Sequence, residues 1–493
     1  MEIIPLQLNF RPAVRTVAGN VDYTRFEREL KRIDELLRLS GAEEKFVRRS
    51  VEQYQWRRAT AEKQIRPGDI VRHEKQSLVA LRCVILKILL RESCRGMSRR
   101  LAECELFRWF CGIETWKPIR VPSKSVIQKY EQWLPENEIR EVVGTLLKAV
   151  VDRREVLGLA NDIELERVWL DSTAVKAPIH FPVDWVLLRD GVRTLMKATL
   201  LIRKHGLRSR MEEPKGFMKE MNRLCIAMTQ SRRSADAKRQ RKKLLRCIKK
   251  LVKIVAAHAL RHRELLDKSW QKTDWTRAQA EQVLRRLDGI LELLPQAQRQ
   301  AHERIIGERQ VKNENKILSL YEREARVIVR GKAEAEIEFG NKLLVAEQQN
   351  GLLVDWQLYR DVPADAKLLG SSLERAERLT GARIGAVVTD RGFHSAANVA
   401  FLESRNTFSG ICPKSPSELK KRCAETKFTK LQKRRGATEG RIGIFKNVFC
   451  GRPMRIKGFL RRETAITWRV LAHNLWVLAR LPRAATQPVL LAA

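Results

Sequence analysis

The chain has 493 residues, 44% hydrophobic and 31% charged, which suits a folded protein of two or three domains and excludes both a disordered chain and a single small core. Lysine and arginine number 97 against 58 acids, a net charge of +39 with a pI near 10.4. An excess of that size calls for an anionic partner; nucleic acid, whose neutralised phosphates release counterions, fits it better than a membrane surface.

Several local features agree. The most apolar stretch, Leu78 to Leu90, is broken by Arg82 and Lys87 and is too short to span a bilayer. The opening MEIIPLQLNF lacks the basic-then-apolar pattern of a secretory signal. Nine cysteines fall without a CxxC pair or a Cys/His cluster, so reduced thiols and a cytoplasmic, nucleoid-associated protein are expected.

In chain order, residues 1–160 read as a helical N-terminal domain, through segments such as VDYTRFERELKRIDELLRL and SLVALRCVILKILLRE. Within it, SRRLAECELFRWFCGI and VPSKSVIQKYEQWL read as two helices joined by a turn. Ser123 is expected to cap the second, leaving Lys124, Gln128 and Lys129 to face DNA, while Phe107, Trp109 and Phe110 suit a core. ERVWLDSTAV predicts a strand over about 166–175, inside a piece, 161–183, that opens an α/β domain.

From 184 to 330 the pattern returns to helix. Residues 201–260 carry 18 Lys/Arg against 4 Asp/Glu, an amphipathic basic stretch in which Lys242 and Lys243 are candidate DNA contacts. After 330 come short strands, EAEIEF, KLLVAEQ and LLVDWQLY, the last two joined at Gln349-Asn350-Gly351, where Asn-Gly favours a hairpin turn. Helix SSLERAERL, strand RIGAVVTD, helix AANVAFLES and strand TFSGICP follow, then basic and amphipathic helices. Residues 331–482 thus complete a mixed sheet flanked by helices, 184–330 is a helical insertion after its first strand, and 483–493 is a tail.

Three acids stand out. Asp171 lies within Val168-Trp169-Leu170-Asp171-Ser172-Thr173-Ala174, where a carboxylate is unfavourable unless a cation compensates it. Asp390 ends the apolar run Ile384 to Thr389, at the carboxyl end of a strand, where ligands of open α/β sheets gather. Glu439 sits in a helical segment with Arg435 one turn before it and Lys446 two turns after, on nearly the same face. The same segment contains Gly436, Gly440 and Gly443, which suit close approach to a sheet or a phosphate backbone. His180 and Asp184, in Ile179-His180-Phe181-Pro182-Val183-Asp184, fit a structural turn and helix start better than an active site, and His394 fits a helix start.

Gln432-x2-Arg435-x3-Glu439-x6-Lys446 matches three of the four positions of a Tyr-x2-Arg-x3-Glu-x6-Lys signature. With LDSTAVKAPIHFPVDWVLLRDGVRTLMKA and TDRGF, it resembles the DDE transposases of bacterial insertion sequences over about residues 90–480. The resemblance implies an RNase H-like core and Mg²⁺-dependent cleavage and joining of DNA, with Mn²⁺ as a substitute. It implies Asp171, Asp390 and Glu439 as catalytic metal ligands, and Arg435 and Lys446 on DNA with Arg441 a weaker candidate. It also implies double-stranded DNA partners, namely terminal inverted repeats and target, and a homodimer on DNA. Gln432 replaces the signature tyrosine, and the insertion follows the first Asp rather than the last strand. An inactive or domesticated DNA-binding relative and a cut-only RNase H-like nuclease are the competing readings.

Overall fold

A computed structural model describes residues 14–484 apart from 16, 114–117, 232–235, 333–334 and 452, with side chains described except over 330–336. The opening decapeptide, most of the expected tail and the start of EAEIEF lie outside the described residues. The N-terminal region is all helix: α1 (Val21–Leu39), α2 (Ala42–Thr60), α3 (Pro67–Leu89), α4 (Cys94–Glu103), α5 (Glu105–Cys111), α6 (Lys124–Tyr130) and α7 (Glu136–Asp152). Asn20 opens α1 by accepting a hydrogen bond from the Tyr23 amide, and Leu30, Ile33, Leu36 and Leu37 form its buried stripe. Arg82, which interrupts the apolar run of α3, is fully buried between Asp34 and Glu43, at 2.5 and 2.6 Å. A buried guanidinium is tolerated only with such partners.

The expected helix pair differs in detail. Its first member breaks at Cys104 into α4 and α5, and Ser123 stands before α6 without a capping hydrogen bond. The Ser123 hydroxyl instead lies 3.1 Å from that of Ser125.

Strand β1 (Arg167–Lys176) is followed by four long helices, α8 (Asp184–Lys204), α9 (Pro214–Gln230), α10 (Ala237–Ser269) and α11 (Arg277–Ile305). They share a core of their own, including Leu188, Leu195, Ile248, Val252, Leu287 and Leu294. Helix does not run on to 330 as expected. It stops at Ile305, and β2 (Arg326–Lys332) begins before the expected change of texture.

EAEIEF and KLLVAEQ, read as separate strands, belong to one strand, β3 (Ala335–Gln348). Gly340 lies between the two segments. Glycine is required there sterically: a Cβ would stand 2.0 Å from the Val175 carbonyl oxygen of β1. The predicted hairpin joins β3 to β4 (Leu353–Tyr359). Only Gly351 takes positive φ, +97°, and the Gln348 amide donates to the Leu352 carbonyl at 2.9 Å. The connection is therefore a three-residue loop with glycine in the left-handed position, not a two-residue turn with both φ positive.

The remaining elements are α12 (Leu369–Thr380), β5 (Ala386–Thr389), α13 (Ala396–Ser404), β6 (Phe408–Ile411), α14 (Pro416–Cys423), α15 (Thr426–Ile444), a π-helical segment Phe445–Cys450, and α16 (Phe459–Leu478). The strands form one mixed six-stranded sheet. Its order is β2-β3-β1-β5-β6, with β4 also on β3; the β1–β3, β2–β3 and β3–β4 pairs are antiparallel and β1–β5 and β5–β6 are parallel. The fold is α/β, a mixed sheet flanked by helices, with an all-helical N-terminal region and a helical stretch after β1. Among the described residues, no helix is long and apolar enough to cross a membrane.

Candidate active site

Strand alternation assembles the site. Trp169 and Asp171 are two apart on β1 and share one face of the sheet; Asp390, still extended, follows the end of β5 two residues after Val388. Trp169 pairs with Val388 in the parallel register, so Asp171 on β1 and Asp390 just past the end of β5 each follow that pair by two residues. Helix α15 covers that face. Leu431 packs on Trp169 and Val388, and the Trp169 indole donates to the Leu431 carbonyl at 3.2 Å.

Asp171 is half-buried, and its carboxyl accepts the Ser172 amide at 2.7 Å. Its pKa is pushed up to about 6 from 3.8, first by burial and next by the Asp390 carboxylate. The Ser172 amide and the Arg435 guanidinium oppose the rise, and Glu439 adds to it. Asp390, at the end of β5, and Arg435 and Glu439, of α15, thus all act electrostatically on Asp171 of β1. Asp390 also accepts the Gly392 amide at 2.8 Å. A second acid is near: a Cβ on Gly392 would lie 3.0 Å from an Asp390 oxygen and 3.2 Å from an oxygen of Asp365. Asp365 was not singled out from sequence. It pairs with Lys342 at 2.7 Å.

Glu439 is exposed and bound by Arg435 at 2.9 Å. Among the described residues, no group of three or more His, Cys, Asp or Glu stands close enough to hold a metal ion as the side chains are arranged. The donor set nonetheless suits a hard divalent cation, because all three groups are carboxylates and their mutual repulsion is what such an ion relieves.

The helix carrying Glu439 is anchored on both sides of it. Glu347 of β3 is fully buried and pairs with Trp169 of β1. One of its oxygens meets Arg434 at 2.6 Å and Arg441 at 2.7 Å. Both arginines also donate to the Gln349 carbonyl of the hairpin loop, at 2.7 and 2.8 Å, and the Arg434 guanidinium lies 4.5 Å above the Trp169 ring. Gln432 donates to the Thr389 and Gly410 carbonyls, at 3.0 and 2.6 Å, tying α15 to the ends of β5 and β6. Sequence reasoning missed this clamp. Its signal was a glutamate directly after the apolar run Leu343 to Ala346.

Other expected contacts are arranged differently. Lys446 does not share the exposure of Glu439; it is buried in the π-helical segment with its ammonium 3.7 Å from Glu338. Arg441 serves the Glu347 clamp. Lys124 and Lys129 are exposed on α6, over buried Ile127 and Tyr130. On α10, Lys243 is exposed, whereas Lys242 pairs with Glu308 at 2.7 Å. Asp184 is buried against Gln300 and Arg304 at 2.9 Å each, and His394 lies 3.8 Å from Glu418. Gly436, Gly440 and Gly443 face open space, with nothing within 4 Å of a built Cβ. The sheet therefore does not require them.

No curated protein and no solved structure matches the chain. Residues 331–475 match the family model described as Transposase DDE domain, so the chain carries a transposase DDE domain over that stretch, with Asp390 and Glu439 inside it and Asp171 ahead of it.

Proposed function

We propose that the chain is a DNA transposase with an RNase H-like catalytic core, in which Asp171, Asp390 and Glu439 hold Mg²⁺, or Mn²⁺ in its place. Cleavage at insertion-sequence ends and strand transfer into target DNA are the reactions. The observation that supports this most is that carboxylates from the end of β5 and from α15, Asp390 and Glu439, both act on the Asp171 carboxyl of β1, beside a matched transposase DDE domain. Divalent cations at such a site supply charge for the attacking and leaving oxygens of an in-line phosphodiester displacement.

The chain's own part is positional. Asp171 and Asp390 are set by the sheet. Glu439 must leave Arg435 to join them, and the freed guanidinium then faces the flanking phosphate, which it suits as a bidentate donor. The open glycine face of α15 allows a DNA backbone to approach without a Cβ in the way. Lys124, Lys129 and Lys243 are the exposed cations assigned to DNA, with residues 1–160 as the end-binding domain and a homodimer joining the two ends.

The test is Glu439→Gln. It is expected to keep affinity for element-end DNA and to lose Mg²⁺-dependent nicking; nicking at the wild-type rate would remove Glu439 from the mechanism. Pre-cut ends with a free 3′-hydroxyl separate a transposase from a cut-only nuclease, since only the former yields joined product.

A further inference from the structure

Between the turn that follows β1 and the helical stretch lies a cleft of about 320 Å³. Four cations from three parts of the chain line it: Arg193 and Lys197 of α8, Arg286 of α11, and Lys457 from the loop before α16. All four are exposed and, among the described residues, none has an acidic partner. That is unlike Arg263, Arg304 and Arg323 nearby, which are paired with Asp288, Asp184 and Glu292. The two carboxylates in the lining, Asp190 and Glu322, are engaged elsewhere. Asp190 lies 3.5 Å from Arg189, and Glu322 is held by the buried Arg462 at 2.5 Å and by the Gly458 amide at 3.1 Å.

The frame behind the cations is fixed by hydrogen bonds. The Tyr321 hydroxyl meets Thr194 at 2.6 Å, which joins the segment before β2 to α8 between Arg193 and Lys197. The Met454 amide donates to the Lys176 carbonyl at 3.2 Å, and with the Gly458–Glu322 contact this anchors the loop that carries Lys457. Like charges gathered on a rigid frame repel one another unless an anion sits among them.

We infer that this cleft is a phosphate site that grips the DNA backbone at a distance from the cut, an assignment resting on the reading of the chain as a DNA enzyme. His180, in the cleft lining, follows Asp171 by nine residues, at most about 30 Å of chain. A duplex turn is about 34 Å, so a strand with its scissile bond at Asp171 has backbone phosphates within one turn of the cleft.

The experiment uses the full chain and a 30-bp duplex of arbitrary sequence, with affinity measured by fluorescence anisotropy from about 50 to 200 mM KCl, without divalent metal. Each phosphate contact contributes about 0.9 to the slope of log affinity against log salt. The double variant Arg193→Gln/Lys197→Gln is therefore expected to lose about 2 from that slope, so that the wild-type advantage shrinks roughly tenfold across this range. Arg378→Gln/Arg383→Gln, which removes the same charge from the exposed surface at the end of α12, is expected to leave the slope unchanged. An unaltered slope in the cleft variant, or an equal loss in the α12 control, overturns the assignment. Inorganic phosphate added at constant ionic strength should displace DNA no better than chloride; selective displacement from wild type but not from the cleft variant would make this a free-phosphate site instead. Duplex binding by wild type tests the DNA reading separately from the slope difference.

Discussion

Replacing Asp171 with Asn should make the metal-free protein more stable while abolishing its activity. In the fold, the Asp171 carboxyl keeps its proton up to about pH 6, because burial and the Asp390 carboxylate disfavour its charge. In the unfolded chain it ionises near its ordinary value of 3.8. The group therefore does no harm below about pH 4, and its contribution to stability is lost as pH rises through 6. Above pH 6 the folded state bears the full penalty, at most about 3 kcal/mol for a shift of this size at 1.36 kcal/mol per unit. Asn removes the charge and keeps an oxygen to accept the Ser172 amide. The assay is scanning fluorimetry in EDTA. At pH 8 the variant's catalytic unit should melt on the order of 5 °C above wild type, taking about 2–4 °C per kcal/mol for a unit of this size, and the difference should vanish by pH 4. Adding Mn²⁺ should raise the wild-type melting temperature and leave the variant unchanged. A variant that melts at or below wild type at pH 8 would refute the claim that these acids repel one another across the site.

Glu347→Gln should leave Arg434 and Arg441 without their buried countercharge, costing about 3–5 kcal/mol in urea unfolding and slowing nicking, because α15 loses its hold on β3. Gly392→Ala would drive a methyl against the Asp390 and Asp365 carboxylates; nicking should fall at least tenfold while the melting temperature moves little. Gly440→Ala should stabilise α15 by about 1 kcal/mol, since the added methyl meets nothing, and should weaken duplex binding if DNA lies along that face. Lys446→Met should lower stability through loss of its contact with Glu338 and leave the salt dependence of DNA binding as in wild type.

Much of the fold was legible because its signals are local. The periodicity of α1, the apolar run of β5 and the Asn-Gly hairpin all lie within a few residues, and each appears where expected. Features set by distant partners were not legible. Gly340 is needed by a carbonyl of β1, and nothing beside it in sequence says so. β2 was missed because its run, RVIVRGK, falls at the end of the region read as helix to 330. Asp171 and Asp390 stood out because carboxylates in or after apolar strands are anomalous, and Glu439 because a helical segment places Arg435 one turn before it. The Glu347 clamp depends on two arginines 87 and 94 residues further along, a relation that no local pattern carries. Lys446 was misread because helix spacing gives an angular position only, and the chain there has turned beneath its neighbours.

The helical stretch between β1 and β2 also has a consequence for synthesis. Trp169 of β1 pairs with Glu347 of β3, 178 residues later. At about 5–20 residues per second, translation leaves β1 without either neighbour for roughly 10–35 s. The intervening helices have a core of their own and can close during that wait. The nascent chain can thus acquire its basic helical surface before the sheet exists, and Glu439 can approach the strand ends only once α15 has left the ribosome.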